Sequence, residues 1–222
     1  MTRIEVAVEY DGAGFHGWQN QESGVRTVQE ELEKALSRVA NHPVALICAG
    51  RTDAGVHATG QVCHFDSGAD RSMKSWVMGA NRFLPDDVSV QWAQPVPDDF
   101  HARFKANRRR YRYVIYNHAA PPALFRRQVT WNYRPLDVDA MIEASRYLVG
   151  THDFTSYRSV HCQAKSPVKT LTSFQIHRQG PLIVLEVEGN AFLMHMVRNM
   201  AGVLMSIGAG KHPPAWAGEV LE

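Results

Sequence analysis

The chain has 222 residues, of which 45% are hydrophobic and 21% are charged, and its formal net charge is +2. This balance is typical of a folded domain and excludes an intrinsically disordered chain. No run reaches the roughly 20 apolar residues that span a bilayer, and residues 1–6 lack the apolar core of a signal peptide, so we expect a cytoplasmic protein without a membrane partner. The three cysteines form no CxxC pair, and we interpret them as small buried hydrophobic residues.

The first half of the chain alternates predicted strands and helices. Residues 3–10 alternate apolar and polar side chains, which predicts a half-buried strand, and a glycine-rich turn follows at residues 11–18. Thr27 and Glu30 have the spacing of a capping box, so a helix begins there. The remaining predicted elements are strands at residues 44–49, 61–65 and 88–92, a loop at residues 50–60, and a helix that begins after Ser72. The predicted order is therefore βαββαβ.

The second half repeats most of this order. Its predicted elements are strands at residues 109–117, 170–177 and 182–187 and helices at residues 138–148 and 193–207. A strand should follow the last helix, and its absence suggests a chain shortened at the C-terminus. The sequence thus predicts an α+β fold of two related βαββαβ, or ferredoxin-like, halves, residues 1–102 and 103–222. Their antiparallel sheets would lie side by side and form a central cleft.

Positive charge is concentrated in residues 101–112, which contain six lysine and arginine residues and no acid. Such segregation lets a chain of small net charge present a basic face to phosphate groups. Because side chains alternate along a strand, those in residues 109–117 cannot all point the same way. The pattern indicates a nucleic-acid partner that is contacted by only part of this set.

Asp53 is a candidate nucleophile because it lies in a loop directly after a predicted buried strand. The neighbouring Arg51 favours the charged form of this carboxylate, and Gly50 and Gly55 permit backbone conformations that are closed to other residues. The alternative is a turn with a surface ion pair, which the spacing alone favours.

Four segments, in the expected order along the chain, resemble the tRNA pseudouridine synthase A family. Residues 49–58, AGRTDAGVHA, look like the signature of that family. The other segments are residues 10–19 with 27–29, residues 100–104 with 111–113, and residues 190–199. The resemblance covers nearly the whole chain, and four ordered motifs are far more specific than one.

The resemblance implies an enzyme that converts uridine to pseudouridine in the anticodon stem-loop of tRNAs, at position 38, 39 or 40. Asp53 matches the nucleophile of the family, Tyr111 its active-site tyrosine and Arg198 its buried arginine. The expected RNA contacts are Arg51, Tyr111, Arg103, Arg109 and Arg110. The resemblance also implies that the enzyme is a homodimer and needs neither cofactor nor metal.

Most of these residues also have a simpler interpretation. The Tyr111 ring can stack on a flipped uracil while its hydroxyl assists removal of the C5 proton, or it can pack as an ordinary strand tyrosine. Arg198 can offset the desolvation of Asp53, or it can extend from an apolar helix to solvent. Phe15 and Trp18 suit a hydrophobic core as well as they suit stacking on nucleotides.

Two other functions compete with the synthase. A non-catalytic RNA-binding protein on a ferredoxin-like scaffold would display aromatic side chains in RNP-like strands, but residues 111–113 lack the glycine-rich RNP1 pattern. A zinc-dependent RNA deaminase would need a metal signature. His57, Cys63 and His64 lie close in sequence, but no HExxH or paired CxxC pattern accompanies them. The sequence therefore favours the synthase.

Overall fold

A computed structural model describes residues 1–21 and 24–222 of the chain. The chain divides into two compact units, Met1–Ala106 and Asn107–Glu222. Each unit contains one β-sheet with helices, so the predicted α+β class is confirmed. Within the described ranges, the helices are too short or too polar to cross a membrane.

The first unit has the predicted βαββαβ order. Its elements are β1 (Thr2–Tyr10), α1 (Val28–Ala40), β2 (Ile47–Cys48), β3 (Ala58–Ser67), α2 (Met73–Phe83), β4 (Val88–Val96) and the short α3 (Ala102–Lys105). The strands form an antiparallel sheet in the order β2-β3-β1-β4. This places β1 in the centre of the sheet, as in a ferredoxin-like fold. The single turn α3 was not predicted.

Local chemistry fixes the ends of the helices in this unit. The Thr27 hydroxyl accepts a hydrogen bond from the Glu30 N–H and begins α1 where the sequence predicts a helix start, and the Ser72 hydroxyl accepts one from the Ser75 N–H and begins α2. Alternate side chains of β1, from Ile4 to Tyr10, are buried against the apolar faces of both helices, which supply Leu32 and Trp76. Burial of these faces is the main stabilising contribution to the unit.

One predicted strand is much shorter than expected. The pattern at residues 44–49 predicts a strand of six residues, but β2 has only two. Side chains of α1 take the backbone donors instead, since Glu33 Oε1 accepts from the Leu46 N–H at 2.8 Å and Ser37 Oγ accepts from the Val44 N–H at 2.9 Å. An apolar run therefore stays buried without joining the sheet.

The second unit contains strands that the sequence does not reveal. Its elements are β5 (Arg109–Asn117), β6 (Thr130–Asn132), α4 (Val138–Arg146), β7 (Gly150–Asp153), β8 (Val168–Gln179), β9 (Leu182–Gly189), α5 (Met196–Gly208) and α6 (Trp216–Glu219). The sheet order is β6-β5-β9-β8-β7, antiparallel except for the pair β5 and β6. The short β6 and β7 were not predicted, because three or four residues carry too little periodicity.

The predicted helix at residues 193–207 begins three residues late. His195 has a left-handed backbone (φ 60°), and α5 starts at Met196. The residues before it form a separate turn, in which the Met194 carbonyl accepts a hydrogen bond from the Ser159 N–H at 2.9 Å. The apolar pattern continues through this turn because Leu193 is buried as well, so the pattern alone could not show where the helix begins.

Two glycines of α5 provide a matched test of its packing on α4. At Gly208 an added Cβ would lie 2.8 Å from the Met141 sulfur, and Met141 is fully buried, whereas nothing lies within 4 Å at Gly202. We expect Gly208→Ala to lower the free energy of unfolding by about 1–3 kcal/mol through overpacking. Gly202→Ala should raise it by roughly 0.5–1 kcal/mol through helix propensity. Urea denaturation measures both, and a Gly208→Ala protein as stable as Gly202→Ala would contradict the packing.

Candidate active site

The loop that carries Asp53, residues 49–57, connects β2 to β3 and is held by a second loop, residues 11–18. The Trp18 N–H donates to the Thr52 carbonyl at 3.0 Å, and the Gly55 N–H donates to the Phe15 carbonyl at 3.3 Å. Within the Asp53 loop itself, the Val56 N–H donates to the Asp53 carbonyl at 3.1 Å and closes a turn. The backbone on both sides of Asp53 is therefore fixed by the first unit itself, and its side chain is half-buried.

Side chains add further bonds to the Asp53 loop. The Tyr10 hydroxyl lies 2.8 Å from Thr52 Oγ1, the Gln61 amide donates to the Gly50 carbonyl at 2.5 Å, and the Gly12 N–H donates to His57 Nδ1 at 3.1 Å. Burial raises the pKa of Tyr10 well above its usual value, so this hydroxyl keeps its proton and remains a hydrogen-bond donor.

The two loops touch through backbone atoms at two glycines. An added Cβ at Gly12 would lie only 2.0 Å from the Val56 carbonyl oxygen, and one at Gly17 would lie 2.9 Å from the Thr52 carbonyl oxygen. Gly17 also has a φ of +92°, a conformation that L side chains rarely adopt. The sequence showed only a glycine-rich turn. The reason for the glycines is this close approach of the Asp53 loop.

The far side of the glycine-rich loop is anchored to the rest of the unit. Arg26 makes a two-pronged salt bridge to Asp87 at 2.7 and 2.8 Å, and its guanidinium lies 4.1 Å from the centre of the Phe15 ring. The pKa of Asp87 is lowered by this hydrogen bond with Arg26. Phe15 and Trp18 are both buried, so of their two interpretations the structure supports core packing.

Two predicted RNA contacts lie near the start of the Asp53 loop. Burial raises the pKa of the Cys48 thiol to about 11, and the charges of Arg51 and Arg103 oppose that rise. Arg51 belongs to the Asp53 loop, and Arg103 lies on α3, which contacts β2. Cys48 and Cys63 are buried, as predicted, whereas Cys162 is only partly buried.

Tyr111 and the segment before Arg198 meet within the second unit. The Tyr111 ring, on β5, makes an edge contact with Phe192 at a centroid distance of 4.9 Å. Arg198 lies in the first turn of α5 and is exposed, and the next residue, Asn199, donates to the Tyr157 carbonyl at 2.9 Å and fixes that turn. The structure thus brings Tyr111 close to residues 190–198, while Asp53 belongs to the first unit.

The arginines of the basic strand β5 are paired with acidic residues of the neighbouring strand β9, which the sequence did not reveal. Arg110 and Arg112 lie directly opposite Glu188 and Glu186 in the register of β5 with β9, and they form salt bridges at 2.9 and 2.5 Å. The pKa of Glu188 is lowered by the hydrogen bond with Arg110, and the pKa of Glu186 by that with Arg112. Arg109 instead donates to the Asn190 carbonyl at 2.6 Å. Only a correct strand register would have revealed these pairs.

His57 and His64, which lie close to Asp53 in sequence, have structural partners. His64 is buried, accepts a hydrogen bond from the Ala102 N–H at 3.2 Å, and packs against the His101 ring at 4.9 Å. Its pKa is lowered, first because burial disfavours the imidazolium. In the ranges that the structure describes, no group of three or more His, Cys, Asp or Glu side chains is arranged to hold a metal ion.

Comparison with known proteins defines the class of this one. A family model described as tRNA pseudouridine synthase matches residues 6–105 and 144–222. Similar proteins named tRNA pseudouridine synthase A come from Alcanivorax borkumensis, 71% identical, Pseudomonas aeruginosa, 60% identical, and Coxiella burnetii, 54% identical. Each alignment covers 100% of this chain, and the alignments cover 83%, 78% and 85% of the three relatives.

The chain belongs to the tRNA pseudouridine synthase family. The resemblance seen in the four sequence motifs is thus confirmed, and so is the predicted enzyme class, an isomerase that acts on tRNA. This outcome decides against the non-catalytic RNA-binding protein and the deaminase.

The contact between the two loops can be tested with a pair of glycines. Gly12→Ala forces the Val56 carbonyl away, so we expect a loss of about 1–3 kcal/mol in the free energy of unfolding and faster amide hydrogen exchange at Trp18 and Gly55. Gly60→Ala is the control, because nothing lies within 4 Å of its added Cβ. Equal exchange rates in the two variants would refute the close approach.

Proposed function

We propose that this chain converts uridine to pseudouridine at positions 38, 39 or 40 in the anticodon stem-loop of tRNAs, with Asp53 as a carboxylate nucleophile and without a cofactor. The observation that carries the proposal is the loop of residues 49–57. Its backbone is fixed by bonds on both sides of Asp53, and it holds a half-buried carboxylate two residues after Arg51 in the sequence. A nucleophile held in this way needs little reorganisation before it attacks.

The reaction is an isomerisation in which atoms balance without an oxidant or a reductant. The bond between ribose C1′ and uracil N1 breaks, a bond between C1′ and C5 forms, the C5 proton leaves and N1 gains a proton. Asp53 supplies the electron pair that forms the covalent intermediate, whether it attacks the sugar C1′ or the base. The same carboxylate is released when the new carbon–carbon bond is complete.

Tyr111 and Arg198 are proposed to complete the chemistry. The half-buried Tyr111 ring, supported at its edge by Phe192, is suited to stack on the extruded uracil, and its hydroxyl is suited to help remove the C5 proton. Arg198 would supply the permanent cation that keeps Asp53 ionised once substrate excludes water. The proposal assigns the nucleophile to the first half, residues 1–102, and these two residues to the second, residues 103–222.

The target uridine must leave its stack, which costs a few kcal/mol, and contacts to backbone phosphates offset that cost. Arg51, Arg103, Arg109 and Arg110 are the proposed contacts. Arg110 is already held by Glu188 at 2.9 Å, so a phosphate must compete with that carboxylate. Arg51 belongs to the Asp53 loop itself, and Arg103 lies on α3, which contacts β2. We also propose that two copies of the chain act as a homodimer on one tRNA.

The test replaces Asp53 with Asn, which keeps the shape of the side chain and removes its nucleophilic charge. Pseudouridine formation on unmodified tRNA should fall at least about a thousandfold. The dissociation constant for tRNA should change by less than about threefold, because phosphate contacts dominate RNA affinity. Asp70→Asn, at an exposed aspartate of the same unit, controls for the loss of one negative charge. Near-normal product formation by Asp53→Asn would rule out this nucleophile.

A further inference from the structure

Residues 118–134 of the second unit form an exposed segment that the proposed chemistry does not use, here called the arginine–aromatic segment. It contains three arginines and one histidine and no acid, and it lies outside the ranges that match the family model. Its exposed large side chains are Leu124, Phe125, Trp131 and Tyr133. A patch of large hydrophobic side chains that are exposed to solvent is typical of a binding surface.

The arginine–aromatic segment has a fixed shape. Residues 130–132, near its C-terminal end, form β6, which pairs with β5, and the Trp131 indole N–H donates to the His118 carbonyl at 2.9 Å. The Val129 N–H closes a turn on the Phe125 carbonyl at 3.2 Å. An open groove of about 650 Å³ results. It is lined by Pro121, Pro122, Ala123, Arg126, Val129 and Trp131.

Cations and aromatic rings are interleaved beside this groove. The Arg134 guanidinium lies 5.5 Å from the centre of the Tyr133 ring, and its Nε donates to the Tyr133 hydroxyl at 3.1 Å. The Tyr133 and Trp131 rings are 6.1 Å apart. Exposed rings beside arginines are the arrangement on which proteins stack unpaired bases, because every base has a π face and every nucleotide a phosphate.

Charge decides between RNA and a second copy of this chain as the occupant. A twofold interface on the arginine–aromatic segment would bring the segment of each copy against the other, so six arginines would face one another with no carboxylate from either segment. RNA supplies the missing negative charge from its phosphates. The charge of the segment therefore favours a polyanion over a second copy as its occupant.

We propose that the arginine–aromatic segment is a tRNA-binding surface, with Tyr133 and Trp131 stacking on unpaired bases and Arg126 and Arg134 contacting phosphates. The inference rests on the proposed function in taking tRNA as the RNA. It extends that function by adding a binding surface to the residues assigned to catalysis.

The test compares two double variants, each of which removes one aromatic ring and one guanidinium group, at different places in the chain. Tyr133→Ser with Arg134→Gln disrupts the segment. Phe83→Ser with Arg38→Gln is the control, since Arg38 lies 5.2 Å from the Phe83 ring and Phe83 is 43% exposed, against 57% for Tyr133. The dissociation constant for unmodified tRNA is measured over a range of salt concentrations. Light scattering gives the oligomeric state, and thermal unfolding verifies that each variant is folded.

The proposal predicts that the Tyr133 and Arg134 double variant binds tRNA about fivefold to a hundredfold more weakly, with a salt slope lower by about one unit, while the control binds like the unaltered protein. Tyr133→Phe should retain affinity because it retains the ring. Equal affinities of the two double variants would overturn the proposal. The proposal would also be overturned if the Tyr133 and Arg134 double variant became monomeric but bound tRNA with unchanged affinity. The segment would then be an interface between two copies of the chain.

If the double variant does not fold, the test is repeated with Arg126→Gln, and Arg82→Gln on α2 is its control. If Arg126 contacts a phosphate, the salt dependence of tRNA binding should decrease in Arg126→Gln and stay unchanged in Arg82→Gln. This inference is tested by tRNA binding and the proposed function by pseudouridine formation, so the failure of one can be distinguished from the failure of the other. A chain that binds tRNA through this segment but forms no pseudouridine would refute the proposed function and leave this inference standing.

Discussion

The backbone of the glycine-rich loop, residues 11–18, packs directly against the backbone of the loop that carries Asp53. Gly12 and Gly17 permit this contact, and the Trp18 and Phe15 main chains bind the Asp53 loop on both sides of the aspartate. Side chains alone could not fix the loop as well, because long side chains keep rotamer freedom that a short backbone contact does not have. The position of the carboxylate therefore follows from the packing of two loops.

This contact couples the candidate active site to the core of the first unit. Tyr10 belongs to the central strand β1, and its hydroxyl reaches the Asp53 loop at Thr52. Trp18 is buried in the same core, and Arg26 anchors the other side of the glycine-rich loop to Asp87. A buried polar group left without its partner costs about 1–3 kcal/mol, so the core favours the bonded arrangement of the loop. The stability of the first unit and the chemistry proposed for Asp53 therefore depend on the same contacts.

Much of the fold was predictable because its signals are local. The capping box at Thr27 and the alternation in β1 act within a few residues, and both were read correctly. The length of β2 and the ion pairs of Arg110 and Arg112 depend on distant residues, Glu33 and the strand β9. At the site, the sequence pointed to Asp53 through a family motif, but it gave no sign that the reason for the glycines at 12 and 17 is contact with that loop.

Two similar hydroxyl contacts allow the most direct measurement. The Tyr10 hydroxyl lies 2.8 Å from Thr52 on the Asp53 loop, and the Tyr113 hydroxyl lies 2.7 Å from Thr130, far along the chain from that loop. Tyr10→Phe and Tyr113→Phe should each cost about 1 kcal/mol of stability. With enzyme in excess over unmodified tRNA, a single turnover should slow by about tenfold or more in Tyr10→Phe only, because displacement of the Asp53 loop misplaces the proposed nucleophile. Equal rates of pseudouridine formation in the two variants would contradict the claim that the loop contact positions Asp53.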